Sequence, residues 1–308
     1  MNNKVVLILG AGGFVGPYLI EEFKNNGYTV VASDIVAPKT PIANVRYQVL
    51  DLLNVAQIAD FLEEIKPDFL VNLAAISSVG LSWKIPQKTM EVNVIGTLNL
   101  LEVIHTKVPE CRLLLVGSSE EYAIKATPLC EEDVINANNP YGISKIAQEN
   151  FASLYRQKYG MSIVCTRSFN HTGIGQTTQF VIPSFCEQVA IIDRSGKPGT
   201  IHVGNLSAYR DISDVRDIVH VYRKLLENPS EKTLFNVGSG KAHKIEDLLK
   251  FIISLSSQKV DIAIDPQKMR PIDNIYHCCD NTRIKKFWKG TDIQQTIREI
   301  YNYYRGQR

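Results

Sequence analysis

The chain has 308 residues, enough to bury a large core as one big domain or two modest ones. Hydrophobic residues make up 44% and charged residues 21%, a balance that excludes a disordered chain. The net charge of +2 gives no footprint for nucleic acid or a membrane surface.

The first apolar run, Lys4–Leu9, reads as a strand and is too short for a signal-peptide core; no run approaches the roughly 18–20 residues of a membrane span. A cytoplasmic protein is therefore expected. Gly10-Ala11-Gly12-Gly13-Phe14-Val15-Gly16 follows, then an amphipathic helix through Asn26. Strand, glycine turn and helix in that order are the first unit of a dinucleotide-binding fold. Gly10 permits the tight turn, Gly13 lets backbone N–H groups approach a pyrophosphate, and Gly16 lets the helix pack on the strand. The helix N-terminus adds a favourable dipole for phosphates. Phe14 and Val15 belong to the same cofactor-facing turn. A second strand, Tyr28–Ser33, ends in Asp34, whose carboxylate can accept from an adenosine ribose and would repel a 2′-phosphate. NAD(H) is thus preferred over NADP(H), with Lys39 the one nearby cation that qualifies the choice.

The alternation continues with a strand over Asn44–Leu50 leading to Asp51-Leu52, a helix over Val55–Ile65, a strand over Asp68–Leu73 leading to Ala74-Ala75, and a long helix over Gln87–His105. Cys111–Val116 is the next strand, Tyr141–Tyr159 a helix and Ser162–Arg167 a strand. Strands alternating with helices predict an α/β fold, a Rossmann-type doubly wound parallel sheet. Right-handed crossovers align the strands' C-terminal ends along one edge, where Asp34, Asp51, Ala74 and Ser118 all fall. Beyond Arg167 the pattern loosens. Ser168–Gln176 reads as a cleft-rimming loop, Phe180–Ile192 as a helix and Gly196–Gly204 as turns with a short strand. Arg210–Asp217 reads as the opening of a helix running to about Glu227. A strand over Thr233–Val237, a helix over Ile245–Leu255, a strand over Asp261–Ile264 and a helix over Ile293–Tyr304 complete the reading. The domains expected are a dinucleotide-binding unit over 1–167, with parts of 205–240 returning to it, and a discontinuous, mainly substrate-binding unit over 168–308. The cysteines show no CxxC or Cys/His ligand spacing, so no metal site is expected.

Tyr141 and Lys145 are four residues apart and share one helical face, opposite Ser118 at a strand end. A cationic Lys145 and an oxidised nicotinamide would favour the Tyr141 phenolate. Tyr141 could then exchange a proton with a substrate oxygen that Ser118 holds, while Lys145 also binds the nicotinamide ribose.

These positions, with Asp51-Leu52 and Ala74-Ala75 on the cofactor side, resemble an extended short-chain dehydrogenase/reductase over nearly the whole chain; Leu9 stands where that family usually has Thr. Further motifs resemble its GDP-mannose 4,6-dehydratase and GDP-4-keto-6-deoxy-mannose reductase branch. They are Ala74–Val79 with Ser82-Trp83, Gly117–Tyr122, Arg167–Gly173, Val203–Leu206, Arg210-Asp211 with Asp214–Asp217, and Arg270-Pro271. The resemblance implies that Ser78, Val79, Ser119, Glu120, Asn170 and Asn205 line a nucleotide-sugar site. It also implies that Arg210 and Arg270 clamp the diphosphate, a task suited to guanidinium forks. Asp273 replaces the family's guanine-reading Glu and leaves the base open.

The implied activity is reduction of the 4-keto group of a GDP-4-keto-6-deoxy-sugar, hexose or heptose. Glu120 sits where the dehydratase branch carries its extra base, so 4,6-dehydration stays open, as does C4 oxidation or epimerisation on a retained NAD. Some members bind dinucleotide only as scaffolds, usually after losing Tyr or Lys; both are present here. The helices Gln87–His105 and Tyr141–Tyr159 resemble those that form a four-helix homodimer interface in the family.

Overall fold

The computed structural model describes residues 4–268 and 274–307. In chain order it forms β1 (Val5–Leu9), α1 (Val15–Asn25), β2 (Thr29–Asp34), β3 (Arg46–Val49), α2 (Val55–Ile65), β4 (Phe69–Asn72), α3 (Val79–Lys84) and α4 (Pro86–Met90). A π-helical segment (Glu91–Ile95) leads into α5 (Gly96–Lys107), followed by β5 (Arg112–Ser118), α6 (Pro140–Tyr159), β6 (Ile163–Ser168), β7 (Asn170–Thr172), α7 (Val181–Ser195) and β8 (Gly199–Val203). Then come β9 (Tyr209–Asp214), α8 (Val215–Glu227), β10 (Leu234–Val237), β11 (Ala242–Lys244), α9 (Ile245–Ile253), β12 (Val260–Ile264), β13 (Tyr276–His277) and α10 (Ile293–Gly306).

The continuous apolar runs become the buried strands of one seven-stranded sheet, ordered β10-β6-β5-β4-β1-β2-β3 and parallel throughout. The chain winds outward from β1 to β3 and then crosses to β4 on the other side of β1. That reversal opens a crevice at the C-terminal ends of β1 and β4. One face packs on α1 and α8 through Leu19, Phe23, Ile218 and Tyr222, the other on α2, α5 and α6 through Leu62, Leu100, Ile104 and Ala152. A third core joins α7, α9 and α10 with β8 through Phe185, Leu249, Ile297 and Val203. Residues from the second half also complete the first sheet: β10 pairs with β6, and α8 packs over β5 and β6. Among the described residues no helix is long and apolar enough to cross a membrane.

Two sequence expectations are corrected, and one further helix appears. The helix expected over 87–105 runs from Pro86 to Lys107 in three pieces, with Pro at its first turn and a π-helical segment at its centre. A short helix, α3, precedes it, capped by Ser78, whose Oγ accepts from the Leu81 N–H at 3.2 Å. Arg210–Asp214 is strand, not helix. Asp211 is buried in that strand because backbone donors surround it: the N–H groups of Ser239 (3.0 Å) and Gly240 (2.8 Å) point at its carboxylate. Helix begins only after Asp214, whose Oδ1 accepts from the Arg216 N–H at 2.7 Å.

Gly16 shows what the first helix requires, because a Cβ there would stand 2.0 Å from the Ala11 carbonyl oxygen. Gly16→Ala must push α1 off the glycine turn. It is expected to cost about 1–3 kcal/mol in chemical denaturation; an unchanged midpoint would show that this contact yields freely.

Candidate active site

The C-terminal edge of the sheet forms a side-chain-free cradle. Gly10 has φ +74°, and a Cβ on it would lie 2.6 Å from the Ala74 nitrogen, so the turns after β1 and β4 touch backbone to backbone. Gly13 stacks over Gly10, where a Cβ would stand 3.3 Å from the Gly10 carbonyl, and Phe14 and Val15 lead into α1. Asp34 ends β2 and braces the turn: its Oδ2 accepts from the Gly12 N–H at 2.9 Å. A cleft beside it is lined by Ala11, Gly12, Asp34, Val36, Tyr47 and Gln48. Arg46 instead pairs with Glu64 at 2.7 Å. Asp51 accepts from the Leu53 N–H at 2.9 Å, Leu52 is buried beneath it, and the Ala74 N–H, next to Ala75, donates to Asn72 at 3.1 Å. Bare backbone in front of a helix N-terminus fits a dinucleotide pyrophosphate.

Next along this edge, Ser118 ends β5 and Tyr141 lies in the first turn of α6. Pro140 at N1 and Asn139 at the cap fix that turn, the Asn139 Oδ1 accepting from the Gly142 N–H at 2.8 Å. The Tyr141 N–H also donates to Ser82 Oγ at 3.2 Å. The Tyr141 hydroxyl lies near enough to the Ser118 hydroxyl for Ser118 to act on its ionisation. One helical turn on, Lys145 Nζ donates to the Val116 carbonyl at 2.8 Å and stands 5.8 Å from the Tyr141 ring centroid. All three side chains are buried. Burial pushes Lys145 down to about 8, with the Glu121 carboxylate opposing it. Burial raises the Tyr141 phenol above its ordinary value in the cofactor-free chain, with the neighbouring Ser118 acting the other way.

Two buried polar side chains escaped sequence reasoning. Asn93, in the π-helical segment, accepts from the Ile76 N–H at 2.8 Å and donates to the Ile76 carbonyl at 3.2 Å and to Ser144 Oγ at 2.9 Å. It ties the loop after β4 to the helix that carries Tyr141 and Lys145. Its only sequence signal is an amide within an otherwise apolar stretch, Val92-Asn93-Val94-Ile95. Glu121 is buried beneath Ser118, its Oε1 accepting the Ser118 N–H at 2.7 Å. Nothing in the sequence separates it from Glu120.

Of the residues expected at the sugar, Ser119 is buried beside Ser118, and Glu120 accepts from Asn139 Nδ2 at 3.0 Å. Ser78 and Val79 start α3. Asn170, Asn205 and Arg210 belong to the second half's strands and loops. Asn170 on β7 pairs with Ile212 on β9, the strand that carries Arg210. Asn205 accepts from the Ser207 N–H (2.9 Å) and hydroxyl (2.7 Å). Arg210 donates to the carbonyls of Tyr209 and Asn274. Arg270 and Asp273 lie outside the described residues.

Residues 7–300 match the family model of GDP-mannose 4,6 dehydratase. The chain is 30% identical to GDP-6-deoxy-D-mannose reductase of Pseudomonas aeruginosa over 86% of its own length and 84% of the relative's. It is 28% identical to GDP-6-deoxy-D-talose 4-dehydrogenase of Aggregatibacter actinomycetemcomitans over 96% of each. Its fold superposes with a TM-score of 0.87 on the solved structure of RMD from Pseudomonas aeruginosa complexed with NADPH, at 26% identity and covering 98% and 99% of the two chains.

Asn93→Ala strands the Ile76 N–H in the interior. Urea unfolding is expected to show a loss of about 1–3 kcal/mol; full retention of stability would mean that these groups find other partners.

Proposed function

The chain belongs to the GDP-mannose 4,6-dehydratase family, within the extended short-chain dehydrogenase/reductases, and we propose that it reduces the 4-keto group of a GDP-4-keto-6-deoxy-sugar, hexose or heptose, using NADH. The observation that carries the direction is the burial of the Tyr141 side chain next to Ser118, which favours the protonated phenol. Reduction needs a proton donor beside the substrate oxygen, and a phenol raised by burial is the acid form. Oxidation would need the phenolate first.

In this reading the dinucleotide lies across Gly10–Gly16, Asp34, Asp51-Leu52 and Ala74-Ala75 and supplies the hydride. Ser118 holds the sugar O4 and Tyr141 hands it the phenol proton. Lys145, already fixed by its bond to Val116, stabilises the phenolate left behind and reaches the nicotinamide ribose. Asp34 supports NAD(H) over NADP(H): it borders the cleft at the end of β2, where a 2′-phosphate would face its carboxylate, while Arg46 is occupied by Glu64. Ser78, Val79, Ser119, Asn170 and Asn205 line the sugar nucleotide, and Arg210, with Arg270 and Asp273, takes the GDP end.

Glu120 favours a second reading, 4,6-dehydration, because a carboxylate next to Ser119 could remove a C5 proton. Its bond from Asn139, which also caps α6, supports a lining role instead. A homodimer through α5 and α6 is supported by the apolar side chains those helices and the preceding π-helical segment leave open: Ile95 is 48%, Ile143 49% and Leu154 56% exposed.

Purified protein given GDP-4-keto-6-deoxymannose is expected to consume NADH faster than NADPH, followed at the nicotinamide absorbance. Tyr141→Phe should slow that consumption by about 10²–10⁴-fold. Formation of a 4-keto-6-deoxy product from GDP-mannose would sink the reductase reading. Light scattering is expected to give twice the chain mass; a monomer would contradict the helix-pair interface.

A further inference from the structure

The main chain of Tyr141 is held at both of its polar groups by buried serine hydroxyls. Its N–H donates to Ser82 Oγ at 3.2 Å, and its carbonyl accepts from Ser144 Oγ at 2.6 Å. Both serines are fully buried. A hydroxyl has one proton to give. Ser82 gives its proton to the Val79 carbonyl of its own helix, α3, at 2.7 Å, so its lone pairs are what the Tyr141 N–H meets. Ser144 gives its proton to Tyr141 and accepts from Asn93 Nδ2 at 2.9 Å.

The other N–H groups of this first turn find their partners locally. Pro140 has none to offer, the Gly142 N–H goes to Asn139 Oδ1 at 2.8 Å, and the Ile143 N–H goes to the Asn139 carbonyl at 3.1 Å. Asn139 moves with the turn, so those bonds shape it without fixing its place. Ser82 ties the same set of N–H groups to a separate element. Toward the turn that follows Ser118 the constraint is steric: a Cβ on Gly142 would stand 2.4 Å from the Glu120 carbonyl. A close contact resists approach but does not hold, whereas the bond to Ser82 does. That bond also joins Tyr141 to a helix that begins at Ser78 and Val79, the pair assigned above to the sugar.

We propose that Ser82 is a positioning residue of the reaction: its hydroxyl locks the first turn of α6 to α3, so that the segment meeting the sugar also sets where Tyr141 stands. The proposal rests on the reading above for Tyr141 as the proton donor, not for the identity of the sugar. A sugar seated along Ser78 and Val79 fixes α3, and Ser82 carries that placement to the Tyr141 main chain before the proton moves. Contacts away from the reacting carbon thereby align the acid, an effect felt in turnover rather than in binding.

Ser82→Ala is expected to lower kcat by about 10–100-fold while the KM for the sugar and the Kd for NADH change by less than about twofold. A second readout needs neither cofactor nor substrate. Hydrogen exchange resolved by residue is expected to show the Tyr141 N–H exchanging about tenfold faster in Ser82→Ala, with the Gly142 N–H unchanged. An unchanged rate at Tyr141 would overturn the proposal, since that N–H would then not depend on Ser82. Faster exchange with a wild-type kcat, or sugar and NADH binding weakened as much as turnover, would overturn it as well and leave Ser82 a structural brace. Should Ser82→Ala fail to fold, Ser82→Cys keeps a side chain of similar size and offers a weak acceptor; a wild-type kcat in that variant would count against the proposal in the same way. Absence of keto-sugar reduction by the wild type would sink the substrate reading alone, because 4,6-dehydration would use the same tyrosine and the split is then read with GDP-mannose. Turnover of neither sugar would overturn both.

Discussion

Strand β5 ends between two buried charges, and the rest of the site takes its geometry from that end. A parallel strand presents its last carbonyl and N–H groups beyond the reach of its neighbours' ladder, where they need other partners. Here the partners are two buried side chains. Lys145 takes the Val116 carbonyl and Glu121 the Ser118 N–H. Ser118 Oγ, thus fixed, turns toward the Tyr141 hydroxyl. Because Tyr141 and Lys145 leave the same face of α6, docking that helix on β5 places both at once. Asn93 and Ser82 pin the start of the helix from the opposite side, through Ser144 and the Tyr141 N–H.

Burying ionisable groups in a core is costly unless each has a partner, and such clusters rarely add net stability. Their persistence here has a chemical return. The fork of Arg167 satisfies Glu149, and its Nε also stands 3.6 Å from Glu121 Oε2. The same burial keeps Tyr141 protonated. One environment thus favours a neutral phenol at Tyr141 and opposes the charge on Lys145.

Legibility in the sequence follows the source of each element's stability. The first half was readable because its strands are continuous apolar runs and its turns need glycine. Gly10, Gly13 and Gly16 announce the cradle, and the Tyr141–Lys145 spacing announces a shared helical face. Segments stabilised by long-range polar partners were not readable. Tyr209–Asp214 carries the charges of a helix N-terminus yet forms a strand, because backbone N–H groups far along the chain neutralise Asp211. The π-helical segment at Glu91–Ile95 accompanies the inward bonds of Asn93 to a loop that periodicity does not see. Glu121 differs from Glu120 only in the direction its backbone turn gives it: one enters the core beneath Ser118 and the other meets Asn139.

The two halves cannot shift independently, because a continuous series of contacts joins the strand that carries Arg210 to the glycine turn. β9 carries Arg210 and ends at Asp214, which caps α8 and accepts from Thr296 Oγ1 of α10 at 2.7 Å. From there α8 lies against α1, with Arg223 Nε donating to Glu22 Oε1 at 2.9 Å and Tyr28 donating to Glu227 at 3.0 Å. At the other end of the path, Gly173 packs so closely on Val215 that a Cβ would stand 2.7 Å from its Cγ1. The glycine turn, α1, α8 and β9 therefore form one rigid sequence of contacts. An error in the docking of α8 would displace Arg210 and the cradle relative to each other, and the diphosphate grip proposed for Arg210 would tolerate little such displacement.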